Sequence, residues 1–314
     1  MNELVLSGRK QLPASQNPAL VYLASLSKGG QRTQQQALRV VAEIVGAGAE
    51  NYDKMRWSAL RYQHTAAIRA RLMETYSPAS CNKILSALRG ALHEAWKLGQ
   101  MSAEDYQRAV DLEHVTGETL PAGREMTAGE IGALIGACQK DNTPAGTRDA
   151  AIIGLLYAAG LRRAEIIALD LGDFEPTGKL VVKGKRSKER TAYINDGALD
   201  ALADWIGLRG SATGALFCRI DKGAKLIPGR LTTQAVYNLL VKRGAEAGVE
   251  DFSPHDFRRT FISDLLDKGA DIATVSKMAG HASVVTTARY DRRPEEAKQK
   301  ASKLLHIPYR KRKR

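Results

Sequence analysis

Cysteine is scarce in this 314-residue chain. Its three copies, Cys81, Cys138 and Cys218, stand far apart and form no C-x-x-C pair. An odd, scattered set excludes a disulfide framework and a cysteine-based zinc site, and it fits a reducing cytosol. Long apolar runs are also missing. No stretch approaches the ~20 residues of a membrane span. The opening residues, MNELVLSGRKQLPASQ, lack the apolar core of a signal peptide. The expectation is a cytoplasmic protein with no membrane partner. Acids are the third shortage. The chain has 34 Asp and Glu against 47 Lys and Arg, a formal net charge of +13. An excess of that size points to a polyanionic partner, above all nucleic acid, and to association with the nucleoid. There is no G-x-x-x-x-G-K-[ST] loop for nucleotide phosphates and no run of clustered carboxylates for Mg²⁺. Neither cofactor nor metal is expected.

What is present is mostly helical periodicity. Residues 17 to 98 read as helices only. In TQQQALRVVAEIV, Leu38, Val41, Ile44 and Val45 share a face. SPASCNKILSALRGALHEAWKLG is the clearest helix, with Ser77 as cap and Pro78 in the first turn. Ile84, Leu88, Leu92, Ala95 and Trp96 line one side of it. Asn82, Lys83, Ser86, Arg89, His93 and Lys97 line the other, a basic face nearly free of acids. Residues 111 to 124 read as a linker. Regular structure restarts at MTAGEIGALIGAC, where Thr127 and Glu130 form a capping box. Two β-prone runs, KLVV and RTAYI, flank the polar turn KGKRSKE and predict a hairpin, the one strand-rich region expected. Helices then resume, with Asp196, Thr232 and Ser253 as starts. The expected fold is mainly α with a small β-sheet or hairpin (α+β) in the second domain, and an all-α first domain.

Several short segments carry reactive side chains. In SPHDFRR, His255 and Arg258 are three apart at a helix start, so they project together beside free N–H groups. In AAGLRRAEI, Arg162 follows Gly160-Leu161 at a break between two helices, and Glu165 can hold it by a charge-assisted bond. The hairpin turn packs five cations into Lys183 to Arg190 against one acid. A lysine there can touch a DNA backbone or deliver a proton. MAGHASVVTTARY places Tyr290 nine residues after His281. Each segment taken singly also has an ordinary structural reading. Together they form a set: a phenol of pKa near 10 attacks a phosphodiester only with a proton acceptor, cations on the phosphate and an acid for the leaving group.

The four segments occur in the order and spacing of the tyrosine recombinase family, which includes the phage integrases and the Xer-type resolvases. AAGLRRAEI resembles the family's G-L-R-x-x-E, KGKRSKER its G-K-x-x-K-E-R hairpin, HDFRRTF its H-x-x-R, and GHASVVTTARY its G-H with a tyrosine nine residues after the histidine. The hairpin departs from the family at Arg186 and Ser187, where glycine and asparagine are common. Lys185 aligns best as the hairpin lysine, with Lys188 as the alternative. Arg162 and Arg258 match the family's arginines better than their neighbours Arg163 and Arg259.

The resemblance implies roles. Tyr290 is the nucleophile, forming a 3′-phosphotyrosyl bond and releasing a 5′-hydroxyl. Arg162 and Arg258 clamp the scissile phosphate. Lys185 protonates the departing oxygen, His255 assists proton transfer from the tyrosine, and His281 hydrogen-bonds the phosphate. It also implies a two-domain DNA clamp: a flexible segment 1–14, a helical core-binding (SAM-like) domain over 15–110, the linker 111–124, the catalytic domain over 125–292, and an exchange helix with a basic tail over 293–314. Arg32, Arg39, Asn82, Lys83, Ser86, Arg89, Lys188 and Arg190 are the expected DNA contacts. The implied partners are double-stranded DNA carrying specific recombination sites and a homo-tetramer assembled on it, with a partner recombinase or accessory protein alongside. The implied activity is site-specific recombination, in integration, excision or resolution, without metal or ATP. The alternatives are a type IB-like topoisomerase and a non-catalytic architectural DNA-binding protein.

Overall fold

The computed structural model describes residues 12–117, 123–184, 189–291, 302–303 and 308–309. The chain divides between residues 121 and 122 into two units. Among its described residues the regular structure of the first is helical: α1 (Pro18–Ala24), α2 (Lys28–Ile44), α3 (Tyr62–Thr75), α4 (Pro78–Lys97) and α5 (Ala103–Val110). Local chemistry sets the starts. Asn17 accepts the Ala19 and Leu20 amides around Pro18, and the Ser27 hydroxyl caps α2, which starts at Lys28, five residues before Thr33 where the sequence pattern begins. Leu38, Ile68, Leu72, Leu85, Leu88 and Trp57 meet in the core. Trp57 is fully buried, and its indole N–H is satisfied by the Tyr52 carbonyl at 2.9 Å. It opens a separate 3-10 turn, so the long helix expected from Trp57 begins instead at Tyr62.

The second unit comprises α6 (Ala128–Lys140), α7 (Pro144–Ala158), α8 (Arg163–Ala168), β1 (Phe174–Glu175), β2 (Lys179–Lys183), β3 (Glu189–Tyr193), α9 (Asp196–Arg209), β4 (Cys218–Ile220), β5 (Leu226–Arg230), α10 (Thr233–Ala247), α11 (Pro254–Asp267), α12 (Ile272–Ala279) and α13 (Val284–Ala288). The apolar α7 is the central element, burying Ile152, Ile153, Leu155 and Leu156 with Trp205, Phe217 and Phe257. The expected hairpin is β2–β3, antiparallel with Lys183 opposite Glu189, and β1 adds a third strand. A second antiparallel pair, β4–β5, was not expected. Asn195, not Asp196, occupies the N-cap position of α9, and Asp196 takes a positive φ of 48° as the first helical residue.

The chain entering this unit is stitched along α11. The Arg124 amide donates to Asp256 (2.9 Å), the Met126 amide to the Thr260 hydroxyl (2.8 Å), and the Ser263 hydroxyl to Glu125 (2.9 Å). The contacts fall at Asp256, Thr260 and Ser263, one stripe of the helix. Gly123 has φ 96°, and a side chain there would put its Cβ 2.1 Å from Asp256 Oδ1. Asp256 also accepts the Ser253 amide and hydroxyl, completing the capping box that starts the helix carrying His255 and Arg258.

Candidate active site

Two left-handed glycines turn the backbone into the site. Gly160 (φ 56°) ends α7 against the Phe261 ring, where an added Cβ would lie 2.4 Å from a ring carbon. The chain then reverses and sets Arg162 at the N-cap of α8. Gly280 (φ 65°) ends α12 against the Arg190 side chain and delivers His281.

The carbonyls exposed by these two turns hold Arg258. Its Nη1 donates to Gly160 O at 2.7 Å and its Nη2 to Ala279 O. Arg258 is 1% exposed, and among the described residues it forms no ion pair. Burial, then repulsion from Arg162, brings its pKa down to about 10. Neutral carbonyls orient this buried cation without cancelling its charge, so the position favours an anionic ligand.

Glu165, 6% exposed, organises the other two arginines. Its carboxylate accepts Arg162 Nη1 (2.7 Å), the Arg162 amide (2.9 Å) and Arg190 Nη2 (3.0 Å). Arg190 also donates through Nε to Met278 O at 3.0 Å. The expected Glu165–Arg162 pair is therefore present. Arg190, expected as a DNA contact, is committed to Glu165 and α12. Burial acts to raise the Glu165 carboxyl, but hydrogen bonds from Arg190 and the Arg162 amide outweigh it and hold the pKa below the usual carboxylate range.

The Tyr290 hydroxyl lies 3.4 Å from His255 Nε2. The ring is flanked by the Arg259 guanidinium at 5.5 Å and the His281 ring at 6.3 Å with planes 21° apart. His281 Nδ1 is 2.8 Å from the Thr287 hydroxyl. Burial, then the Arg258 charge, lowers the pKa of both histidines, that of His281 to about 4. Both are neutral at pH 7, so His255 can accept a proton. The structure thus brings Arg162, Arg258, His255, His281 and Tyr290 together. Lys185 and Lys188, expected as the hairpin lysine and its alternative, lie outside the described residues, in the stretch of sequence between β2 and β3. Lys183 itself pairs with Asp173 at 2.8 Å. Among the described residues no group of three or more His, Cys, Asp or Glu could hold a metal, and no helix is long and apolar enough to cross a membrane.

In the first unit, Arg32, Arg39 and Lys83 line one cleft of about 650 Å³ between α2 and α4, with Gln36, Tyr76 and Ser80. Ser86 is exposed further along α4. Asn82 and Arg89, expected on the same DNA-facing surface, are turned to residues 110–115. Asn82 donates to Val115 O (2.8 Å) and accepts its amide (2.9 Å); Arg89 donates to Val110 O (3.3 Å) and Leu112 O (2.6 Å). They satisfy backbone groups of the segment that leaves the unit.

Sequence reasoning missed Arg190 as a scaffold, Asp256 as the anchor of the incoming chain, and Thr287. The i+3 spacing of Ser253 and Asp256 signals only the capping half of Asp256's role.

Residues 124–296 match the model of the phage integrase family. The tyrosine recombinase XerC of Corynebacterium efficiens is 35% identical over 170 residues, covering 53% of this chain and 52% of the relative. XerC of Azotobacter vinelandii is 33% identical over 240 residues, covering 74% and 76%. The chain spans about half the length of the first curated relatives it matches. In fold it is similar to the Tn1549 transposon integrase solved in complex with transposon right end DNA, at a TM-score of 0.70 and 14% identity over 93% of this chain and 99% of that one.

Proposed function

Because this chain belongs to the phage integrase family, we propose that it is a site-specific DNA recombinase that cuts and rejoins strands through Tyr290. The carrying observation is Arg258: a buried guanidinium held by two carbonyls, with no ion pair among the described residues, beside Arg162 and next to a tyrosine hydroxyl that faces a neutral histidine. A phosphodiester has the charge and the acceptor oxygens that this arrangement can bind. Arg162 and Arg258 bind its non-bridging oxygens and stabilise the charge that builds on them as the phosphorus becomes five-coordinate. The Tyr290 oxygen attacks phosphorus while its proton passes to His255 Nε2. The bond to the 5′ oxygen breaks, and Lys185 gives that oxygen a proton, releasing a 5′-hydroxyl and leaving a 3′-phosphotyrosyl link. Attack on that link by a 5′-hydroxyl from another strand reverses the sequence. One phosphoester replaces another at each step, so no external energy source enters the balance.

Duplex DNA with defined sites is the substrate in this reading, and Arg32, Arg39 and Lys83 bind its phosphates. The assembly is a tetramer on two sites, with the segment after Tyr290 docking on a neighbouring copy. The domain limits are those read from the sequence: a core-binding domain over 15–110, a linker over 111–124, a catalytic domain over 125–292 and a tail from 293.

A suicide duplex nicked beside the cleavage site tests the chemistry. The wild type should be trapped covalently, with DNA mapped to Tyr290, while Tyr290→Phe binds the same duplex and forms no adduct. An adduct on another tyrosine, or none, overturns the proposal. Relaxation of supercoiled DNA without any exchanged product would instead mark a topoisomerase.

A further inference from the structure

We propose that Thr287 is a positioning residue that holds His281 in the tautomer with its proton on Nε2, making the ring a ready donor to the scissile phosphate. The inference rests on the recombinase reading above.

The Thr287 hydroxyl is 2.8 Å from His281 Nδ1, and Thr287 is fully buried. A hydroxyl can donate or accept, so distance alone leaves the proton's place open. The partner chemistry closes it. A phosphodiester at neutral pH offers only acceptors, so a neutral histidine that bonds it must present an N–H. Nδ1 is already occupied by Thr287, so the N–H must be Nε2–H. Nδ1 is then the acceptor and the threonine hydroxyl the donor. The low proton affinity of His281 agrees with a neutral ring, since an imidazolium would need no such selection.

The backbone adds a second link. The Thr287 carbonyl accepts the Tyr290 amide at 2.9 Å, and the His281 amide donates to Ser276 O at 3.0 Å. Thr287 therefore touches the histidine through its side chain and the nucleophile's residue through its main chain. Phosphate donor and nucleophile are set in register by one residue in the short helix α13. The hydroxyl supplies the selection and the carbonyl the spacing, so the two can be separated by mutation.

Thr287→Val keeps the branched shape and removes the hydroxyl; Thr287→Ser keeps the hydroxyl and removes the methyl group. The full chain labelled with ¹⁵N-histidine reports the His281 tautomer by long-range ¹H–¹⁵N correlation. Wild type and Thr287→Ser should show the Nε2–H pattern, and Thr287→Val should lose it. On a suicide duplex, Thr287→Val should slow covalent trapping by about 10- to 100-fold, the usual effect of removing a partner that orients a histidine. Its DNA affinity should be unchanged, and Thr287→Ser should stay within about threefold of wild type. An Nδ1–H pattern in the wild type overturns the proposal, as does a Thr287→Val variant that retains the wild-type pattern and rate. Equal loss in the serine and valine variants also overturns it, since packing of the methyl group would then be the cause. If the wild type forms no adduct at all, the recombinase reading fails, while the spectrum still decides whether Thr287 sets the tautomer.

Discussion

Replacing Glu165 with glutamine should destabilise the second unit and at the same time strengthen its pull on phosphate. Glu165→Gln keeps the shape of the side chain but removes the charge shared by Arg162 and Arg190. The bond from Arg190 is well shielded, with side chains 13% and 6% exposed. It counts nearly in full, at about 1.5–3 kcal/mol for a hydrogen bond to a charged group. Arg162 is 45% exposed, so solvent screens its pair to ~0.5 kcal/mol. The glutamine oxygen retains part of this, which leaves a loss of about 2–3 kcal/mol, or roughly 4–12 °C in Tm for a unit of this size. Freed of their counter-ion, the arginines should neutralise more DNA charge, steepening the salt dependence of binding by up to about one unit.

The pH dependence has a definite sign. A carboxyl whose pKa is lowered by folding contributes stability that is complete above its unfolded pKa, about 4.3, and lost as pH falls through the folded value. The Tm gap between wild type and Glu165→Gln should therefore hold from pH 7 down to about 4.3 and close in stronger acid. Calorimetry across that range and a salt titration of DNA binding measure both effects. Equal melting temperatures at pH 7, with an unchanged salt slope, would refute the view that Glu165 is the counter-ion of this cluster.

Lys185→Ala should slow cleavage of normal DNA strongly, and a 5′-bridging phosphorothiolate, whose leaving group needs no proton, should restore it. Rescue of Lys188→Ala instead would move the acid to Lys188. Lys83→Ala should lower the salt slope of DNA binding by about one unit, whereas Arg89→Ala should leave the slope unchanged and lower Tm, because Arg89 holds Val110 and Leu112; a reduced slope in Arg89→Ala would contradict its assignment to the backbone. Folding depresses the pKa of His255 and His281, so the unfolded chain binds more protons and stability should fall as pH drops from about 6.5 toward about 4. A bound phosphate opposes that shift. DNA binding should take up protons in the same window, measured by calorimetry in buffers of different ionisation enthalpy, and binding without proton uptake would contradict it.

The motifs around Tyr290 were legible because each is local. A helix break at Gly160, an i+3 pair of His255 and Arg258, and a glycine before His281 all leave marks within a few residues. What was not legible depends on partners distant in sequence. Arg190 reads as one more cation in a basic turn; only the fold brings it to Glu165, 25 residues away. Asn82 and Arg89 read as a DNA-facing pair because a polar helix face looks the same whether water, phosphate or backbone covers it. The strand β5 leaves little mark in the sequence because LIPGR contains Pro228 and Gly229, which are rare within strands. The short, acid-started α5 was missed as a separate helix. It packs through Ala109, with Tyr106 stacked on Trp96 at 5.3 Å, which leaves Trp96 38% exposed rather than in the core stripe expected of it.

The stitching of residues 124–126 along α11 gives the second unit a mechanical character. A pull applied at Gly123 acts directly on this stitching. It reaches Arg124, Glu125 and Met126, whose bonds to Asp256, Thr260 and Ser263 lie along the helix and are loaded in shear, sharing the force. The first of these bonds ends on the carboxylate between His255 and Phe257, two residues from Arg258. Force on the incoming segment is thus transmitted to the helix that carries His255 and Arg258.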